Sequence, residues 1–127
     1  MHADGRLPWR EMTGGAEESI EVGPQRAAEL LRDGDVQLVD VRETYEVEAG
    51  RVAGARHIGM GELAGQASTL DPERPVLFYC RVGGRSAMAA TAFRQAGFEA
   101  YSLTGGLVAW HRQGLPLEPA DGHVADH

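Results

Sequence analysis

Lysine and asparagine are missing altogether from the 127 residues, and cysteine occurs once, as Cys80. A chain without Lys has no phosphate-loop lysine and can form no Schiff base, which excludes Walker-type nucleotide hydrolysis and pyridoxal chemistry. With no Asn there is no N-glycosylation acceptor. A single Cys excludes an intrachain disulfide and any multi-cysteine metal site, so whatever Cys80 does, it does alone. Long apolar runs are also absent: stretches such as Val76 to Phe78 fall far below the roughly 18 residues of a membrane span. Nothing near Met1 to Trp9 reads as a secretory signal, so the expected address is the cytoplasm. Basic charge is scarce, with 12 Arg against 19 acidic residues for a net −7. Such a field repels nucleic acid.

What is present is turn-rich and folded. The 17 Gly and 6 Pro together stay below the roughly 25–30% of low-complexity chains, and the length suits one domain. Residues 1–18 carry charge, Gly and two isolated large side chains (Leu7, Trp9) without a period, and read as a flexible tail. The domain is expected over residues 19–119, with a second flexible tail over 120–127. Within it, Ser19–Val22 suggests a short strand, and Pro24 opens a helical pattern (Ala27, Leu30, Leu31) that stops at Asp33-Gly34. Val36–Val41 is strand-like. Arg42–Gly65 reads mostly as loop, with one helical turn at Thr44–Glu48 and a short strand near Ala55–Ile58. Val76–Tyr79 is a continuous apolar run of the kind buried on both faces of a parallel sheet. A helix over Ser86–Gln95, a strand over Glu99–Leu103 and a helix over Leu107–Gln113 complete the alternation. Strand and helix in turn make the class α/β with a largely parallel sheet.

Cys80-Arg81-Val82-Gly83-Gly84-Arg85-Ser86 sits between the buried strand and the next helix. A lone Cys is ordinarily an inert small hydrophobe, but this one falls at the carboxyl end of a strand, where open α/β sheets bind ligands. Two Gly allow a tight turn that aims successive N–H groups inward, the helix N-terminus favours negative charge, and two Arg add to it. A thiolate there is expected below its free pKa of about 8.5, as a nucleophile.

The loop resembles the active-site loop of the rhodanese-type sulfurtransferases, and three further blocks are similar to that family in the same order. They are Leu38-Val39-Asp40-Val41-Arg42-Glu43, Gly50 through Ile58, and Gly105-Gly106-Leu107-Val108-Ala109-Trp110 with Gly114-Leu115-Pro116. Arg51 departs from the pattern, standing where the family usually carries His. The resemblance implies a five-stranded, largely parallel sheet with helices on both faces. It implies that Cys80 attacks a donor such as thiosulfate and carries the sulfur as a persulfide to a thiophilic acceptor. The loop residues Arg81, Val82, Gly83, Gly84, Arg85 and Ser86 would bind the donor, with Arg81 and Arg85 as its charged partners.

Asp40 and Arg42 form a second tier, with an ion pair fixing the neighbouring turn as the plainer reading. The implied partners are a small anionic sulfur donor and a thiol, protein thiol or cyanide acceptor, with no nucleic acid and no membrane. The chain would act as a monomer or homodimer, without metal or cofactor. His57 is expected to make a structural hydrogen bond and Trp110 to fill the core. Two other functions compete. A cysteine phosphatase or arsenate reductase also places Cys and Arg in a loop, but with five intervening residues rather than the four here. A non-catalytic binding module of the same fold typically lacks the Cys. Thiosulfate, mercaptopyruvate and a protein persulfide all remain open as donors, with Arg81 favouring thiosulfate over the Cys-Gly-x-Gly-x-Thr pattern of the mercaptopyruvate branch.

Overall fold

The computed structural model describes residues 20–126, so the segment 1–18 lies outside the described residues. The elements run β1 (Glu21–Val22), α1 (Pro24–Asp33), β2 (Gln37–Asp40), α2 (Thr44–Ala49), β3 (Arg56–His57), a short-helix segment, β4 (Val76–Tyr79), α4 (Gly84–Gln95), β5 (Ala100–Leu103) and α5 (Gly106–Arg112). The short-helix segment is a 3-10 turn (Met60–Glu62), α3 (Leu63–Gln66) and a second 3-10 turn (Ala67–Thr69). The sheet has five strands in the order β1-β5-β4-β2-β3, all pairs parallel. β4 lies at its centre, and Gln37 pairs with Val76 on one side while Ala100 pairs with it on the other.

Side chains of successive strand residues point to opposite faces, and β4 shows what that does here. Leu77 and Tyr79 join Ala27, Leu30, Leu107 and Trp110 under α1 and α5. Val76, Phe78 and Cys80 join Ile58, Ala89 and Phe93 under α4 and the short helices. Every β4 residue is buried, which is why the sequence reads there as an unbroken apolar run. Burial of the four side chains, at about 1.5–3 kcal/mol for a large one, anchors β4 in the middle of the sheet, and Cys80 is the next residue along. Trp110 is buried as expected and its Nε1–H donates to Pro116 O at 2.8 Å.

Two local expectations are corrected. α4 starts at Gly84, two residues before Ser86. A helix needs an extended or left-handed residue ahead of it, and Gly83, at φ 110°, supplies it earlier than helix propensity alone suggests. The stretch after β3 is largely helical over residues 60–69 rather than loop, with Leu63 and Leu70 buried against the sheet. Its turns are too short to carry a helical period.

Candidate functional site

The parallel strands β2 and β4 end side by side, and the site is built at those carboxyl ends. Asp40 and Arg42 are both buried, and they form an ion pair: Nε donates to Oδ1 at 2.9 Å and Nη2 to Oδ2 at 2.7 Å. Arg42 Nη2 also donates to Gly50 O at 2.8 Å, so the pair ties the end of β2 to the end of α2. Burial by itself would lower the guanidinium pKa, but Asp40 more than offsets it and the group stays above its ordinary value. Nη1 is buried without a hydrogen-bond partner, with the guanidinium carbon 5.5 Å from the centroid of the Tyr79 ring, a cation–π contact. Tyr79 Oη in turn accepts from Val52 N–H at 3.0 Å, and its burial pushes the phenol strongly upward, keeping it neutral. This set is a buttress beneath the loop, which is the plainer reading of Asp40 and Arg42. His57 Nε2 lies 2.7 Å from Arg42 O, a structural donor bond as expected.

Cys80 Sγ is buried and ringed by donors. Gly83 N–H donates to it at 3.1 Å and Ser86 N–H at 3.4 Å, and the Ser86 hydroxyl stands 3.5 Å away. Burial pushes the thiol up, yet the bonds from the Ser86 hydroxyl and from the amides of Ser86, Gly83 and Arg85 outweigh it and the thiol ends below its ordinary value. Ser86 Oγ is fixed at 3.2 Å from Gly83 O and 2.8 Å from Ser102 Oγ on β5.

The loop backbone ahead of these amides is itself tied down. Leu107 N–H donates to Cys80 O at 2.8 Å and Val108 N–H to Arg81 O at 3.0 Å, so the first turn of α5 fastens the loop. That approach needs Gly106: a Cβ there would stand 2.5 Å from Arg81 O and 2.6 Å from Cys80 O, at φ 62°. The Gly-Gly block that the sequence places far from Cys80 is therefore one wall of its loop.

Both loop arginines have partners within the protein. Arg85 makes a two-point bond with Glu46 on α2, Nη1 to Oε1 at 2.9 Å and Nη2 to Oε2 at 3.1 Å, and this carboxylate raises the guanidinium pKa. Glu46 is itself buried and its Oε1 also accepts from Glu43 N–H at 3.0 Å, a capping box for α2. Arg81 Nε donates to Ala125 O at 3.0 Å. Val82 is exposed at the loop's crest, and Gly84 opens α4. Sequence reasoning missed Glu46 and Ser102. The Glu-x-x-Glu spacing of a capping box signals the first, and a lone Ser in the apolar run Ala100–Leu103 the second. Arg51 donates to Val47 O at 3.3 Å and pairs through its backbone with Glu118. Among the described residues no group of three or more His, Cys, Asp or Glu could hold a metal ion, and no helix is long and apolar enough to cross a membrane.

The chain is similar in sequence and in fold to known proteins. A "Sulfurtransferase" of Allochromatium vinosum is 34% identical over 104 residues, 80% of this chain and 97% of that one. "Thiosulfate sulfurtransferase GlpE" of Pseudomonas aeruginosa is 33% identical over 104 residues, 81% and 93% of the two chains. The crystal structure of a rhodanese-related protein from Thermoplasma volcanium superposes with a TM-score of 0.72 at 26% identity, covering 76% of this chain and 95% of that one. The family profile of the Rhodanese-like domain matches residues 23–113, and with the sheet order, the Cys80 loop and the glycine wall all in place, the chain belongs to the rhodanese-like domain family.

Proposed function

We propose that the protein is a sulfurtransferase that moves a sulfane sulfur from thiosulfate or a similar donor to a thiophilic acceptor through a persulfide on Cys80. One observation carries the reading: the only thiol of the chain lies at the end of the central strand, with the amides of Gly83 and Ser86 directed at its sulfur at 3.1 and 3.4 Å. A sulfur held this way is a nucleophile that needs no general base to create it. In the first half-reaction the Cys80 thiolate attacks the outer sulfur of thiosulfate. The new S–S bond forms as the old one breaks, and sulfite leaves with the electron pair. In the second, cyanide or a thiolate attacks the outer persulfide sulfur and the Cys80 thiolate departs with the bonding pair, restoring the starting state. Two displacements on one residue make the kinetics ping-pong. The inward amides act as fixed donors to sulfur charge and need no reorganisation during either step.

The four-residue spacing between Cys80 and Arg85 supports sulfur chemistry over an oxyanion-wrapping phosphatase loop, and so does the engagement of Arg85 by Glu46. Intact-mass measurement after thiosulfate treatment tests the proposal. The protein should gain one sulfur that cyanide then removes, and Cys80→Ala should gain none and lose turnover while folding normally. An unmodified mass in protein with a titratable thiol, or Cys80→Ala turnover within about tenfold of the parent, overturns it.

A further inference from the structure

Residues 120–126, which read from the sequence as a flexible tail, run back across the domain and end at the Cys80 loop. Glu118 exchanges two backbone bonds with Arg51, at 2.7 and 2.9 Å. The chain then crosses the end of α2 at a contact that only two glycines permit. A Cβ on Gly122 would stand 2.9 Å from Pro119 O, 3.0 Å from Ala49 O and 3.1 Å from Gly50 Cα. The place of a side chain on Gly50 is taken by the backbone of His123, whose N–H donates to Ala49 O at 2.9 Å. Val124 packs against the core under α1 and α5. So anchored, Ala125 presents its carbonyl to Arg81 Nε at 3.0 Å, and Asp126 lies 3.5 Å from Nη2 of the same guanidinium.

The consequence falls on the donor site. Arg81 is rooted one residue from the nucleophile, and a free Arg there could turn its guanidinium over the loop mouth. Here it is drawn to the crossing segment instead. Asp126 contributes little to that, because its carboxylate is 98% exposed and such pairs are weak. The hold comes from the Ala125 carbonyl, fixed in place by the Gly50 and Gly122 crossing. Arg85 is already matched with Glu46, so the loop offers a donor its amides and no unmatched guanidinium charge from Arg81.

We propose that residues 122–126 are a specificity-determining strap that holds Arg81 out of the donor site and so lowers the site's preference for dianionic sulfur donors relative to singly charged or neutral persulfides. The inference rests on the reading of Cys80 as the sulfur-carrying nucleophile. It concerns the charge of the donor that the nucleophile meets.

Its test uses Gly122→Ala, which must lift the strap off Ala49, with and without Arg81→Ala. Because Cys80 is the only thiol, alkylation by iodoacetate and by iodoacetamide reports the local charge without any sulfur transfer. Gly122→Ala should raise the iodoacetate-to-iodoacetamide rate ratio roughly two- to fivefold, the scale of one solvent-exposed charge pair. It should lower the KM for thiosulfate by a similar factor, and adding Arg81→Ala should cancel both changes. Val124→Ser, which weakens the same anchor from the core side, should act in the same direction and serves if Gly122→Ala does not fold. A ratio that stays at the parent value in a folded strap variant, or a rise that persists without Arg81, overturns the strap. A parent protein that takes no sulfur from thiosulfate overturns the sulfurtransferase reading instead, and leaves the alkylation result standing.

Discussion

Arg85→Ala separates what the Arg85–Glu46 bond does for the fold from what it does for the sulfur. The substitution strips two guanidinium donors from a carboxylate that is 1% exposed, while the arginine arm itself is 26% exposed. Removing one partner of a fully buried pair costs about 3–5 kcal/mol. Water reaches the Arg85 side, which brings the expectation down to about 2 kcal/mol. At about 4 °C per kcal/mol for a domain of this size, the melting temperature should fall by about 8 °C. Activity should fall too, because a positive charge is removed from the loop that carries Cys80. One charge-assisted contact of about 1.5–3 kcal/mol corresponds to a roughly tenfold to hundredfold loss in kcat/KM. Adding Glu46→Gln to Arg85→Ala removes the stranded charge, so melting temperature should recover by at least half while kcat/KM stays low. Arg85→Lys should keep part of each property, since an ammonium cannot make the two-point bond. Thermal denaturation beside thiosulfate–cyanide kinetics on the four proteins gives the answer. If Arg85→Ala melts within about 2 °C of the parent, or if Glu46→Gln restores activity along with stability, the division of labour argued from the geometry is wrong.

Ser86→Ala removes the largest of the contributions that lower the Cys80 thiol, so the pH profile of iodoacetamide alkylation should move to higher pH, and an unmoved midpoint refutes the role of the hydroxyl. The same residue sets a sign for stability. The folded thiol pKa lies below the unfolded one, so the thiolate contributes stability above the free-thiol value of about 8.5, and that contribution is lost as pH falls through the lowered folded value. Denaturant titrations across that window should show a flatter dependence in Ser86→Ala. Gly106→Ala places a methyl against the carbonyls of Cys80 and Arg81 in a left-handed conformation. The conformation alone costs about 1–2 kcal/mol, so a melting drop of at least about 4 °C with a raised thiol pKa is expected, and a loop that tolerates the methyl with both unchanged would show that α5 does not position it.

The parts legible in the sequence are those written locally. β4 and its burial follow from four consecutive apolar residues, α1 from Pro24 and a helical period, and the Cys80 loop from a nucleophile and two glycines between a strand and a helix. Glu46 was missed because its partner is 39 residues away and no periodicity joins two residues of opposite charge across a sheet edge. Ser102 was missed because one hydroxyl barely dents an apolar strand, although its bond to Ser86 is buried. The short helices over residues 60–69 escaped because their turns break too often to build a stripe. The positions of Arg81 and Arg85 show the limit most clearly. Their charge is legible, but whether it faces a ligand depends on Glu46 and Ala125, and composition carries no trace of those contacts.

A chain of net charge −7 that draws an anionic donor to a thiolate needs its local dipoles to outweigh its overall field. Exposed charges more than about 8 Å apart are screened at physiological salt, so most of the acidic surface acts weakly on Cys80. The amides of Gly83 and Ser86 act at 3.1 and 3.4 Å, inside any screening. α5 fastens the start of the same loop by donating to the carbonyls of Cys80 and Arg81 at 2.8 and 3.0 Å, which helps to keep those amides within reach of the sulfur. The short contact that Gly106 makes possible therefore helps to hold the loop whose amides meet the sulfur, and the arginines beside it adjust a preference that the backbone has already fixed.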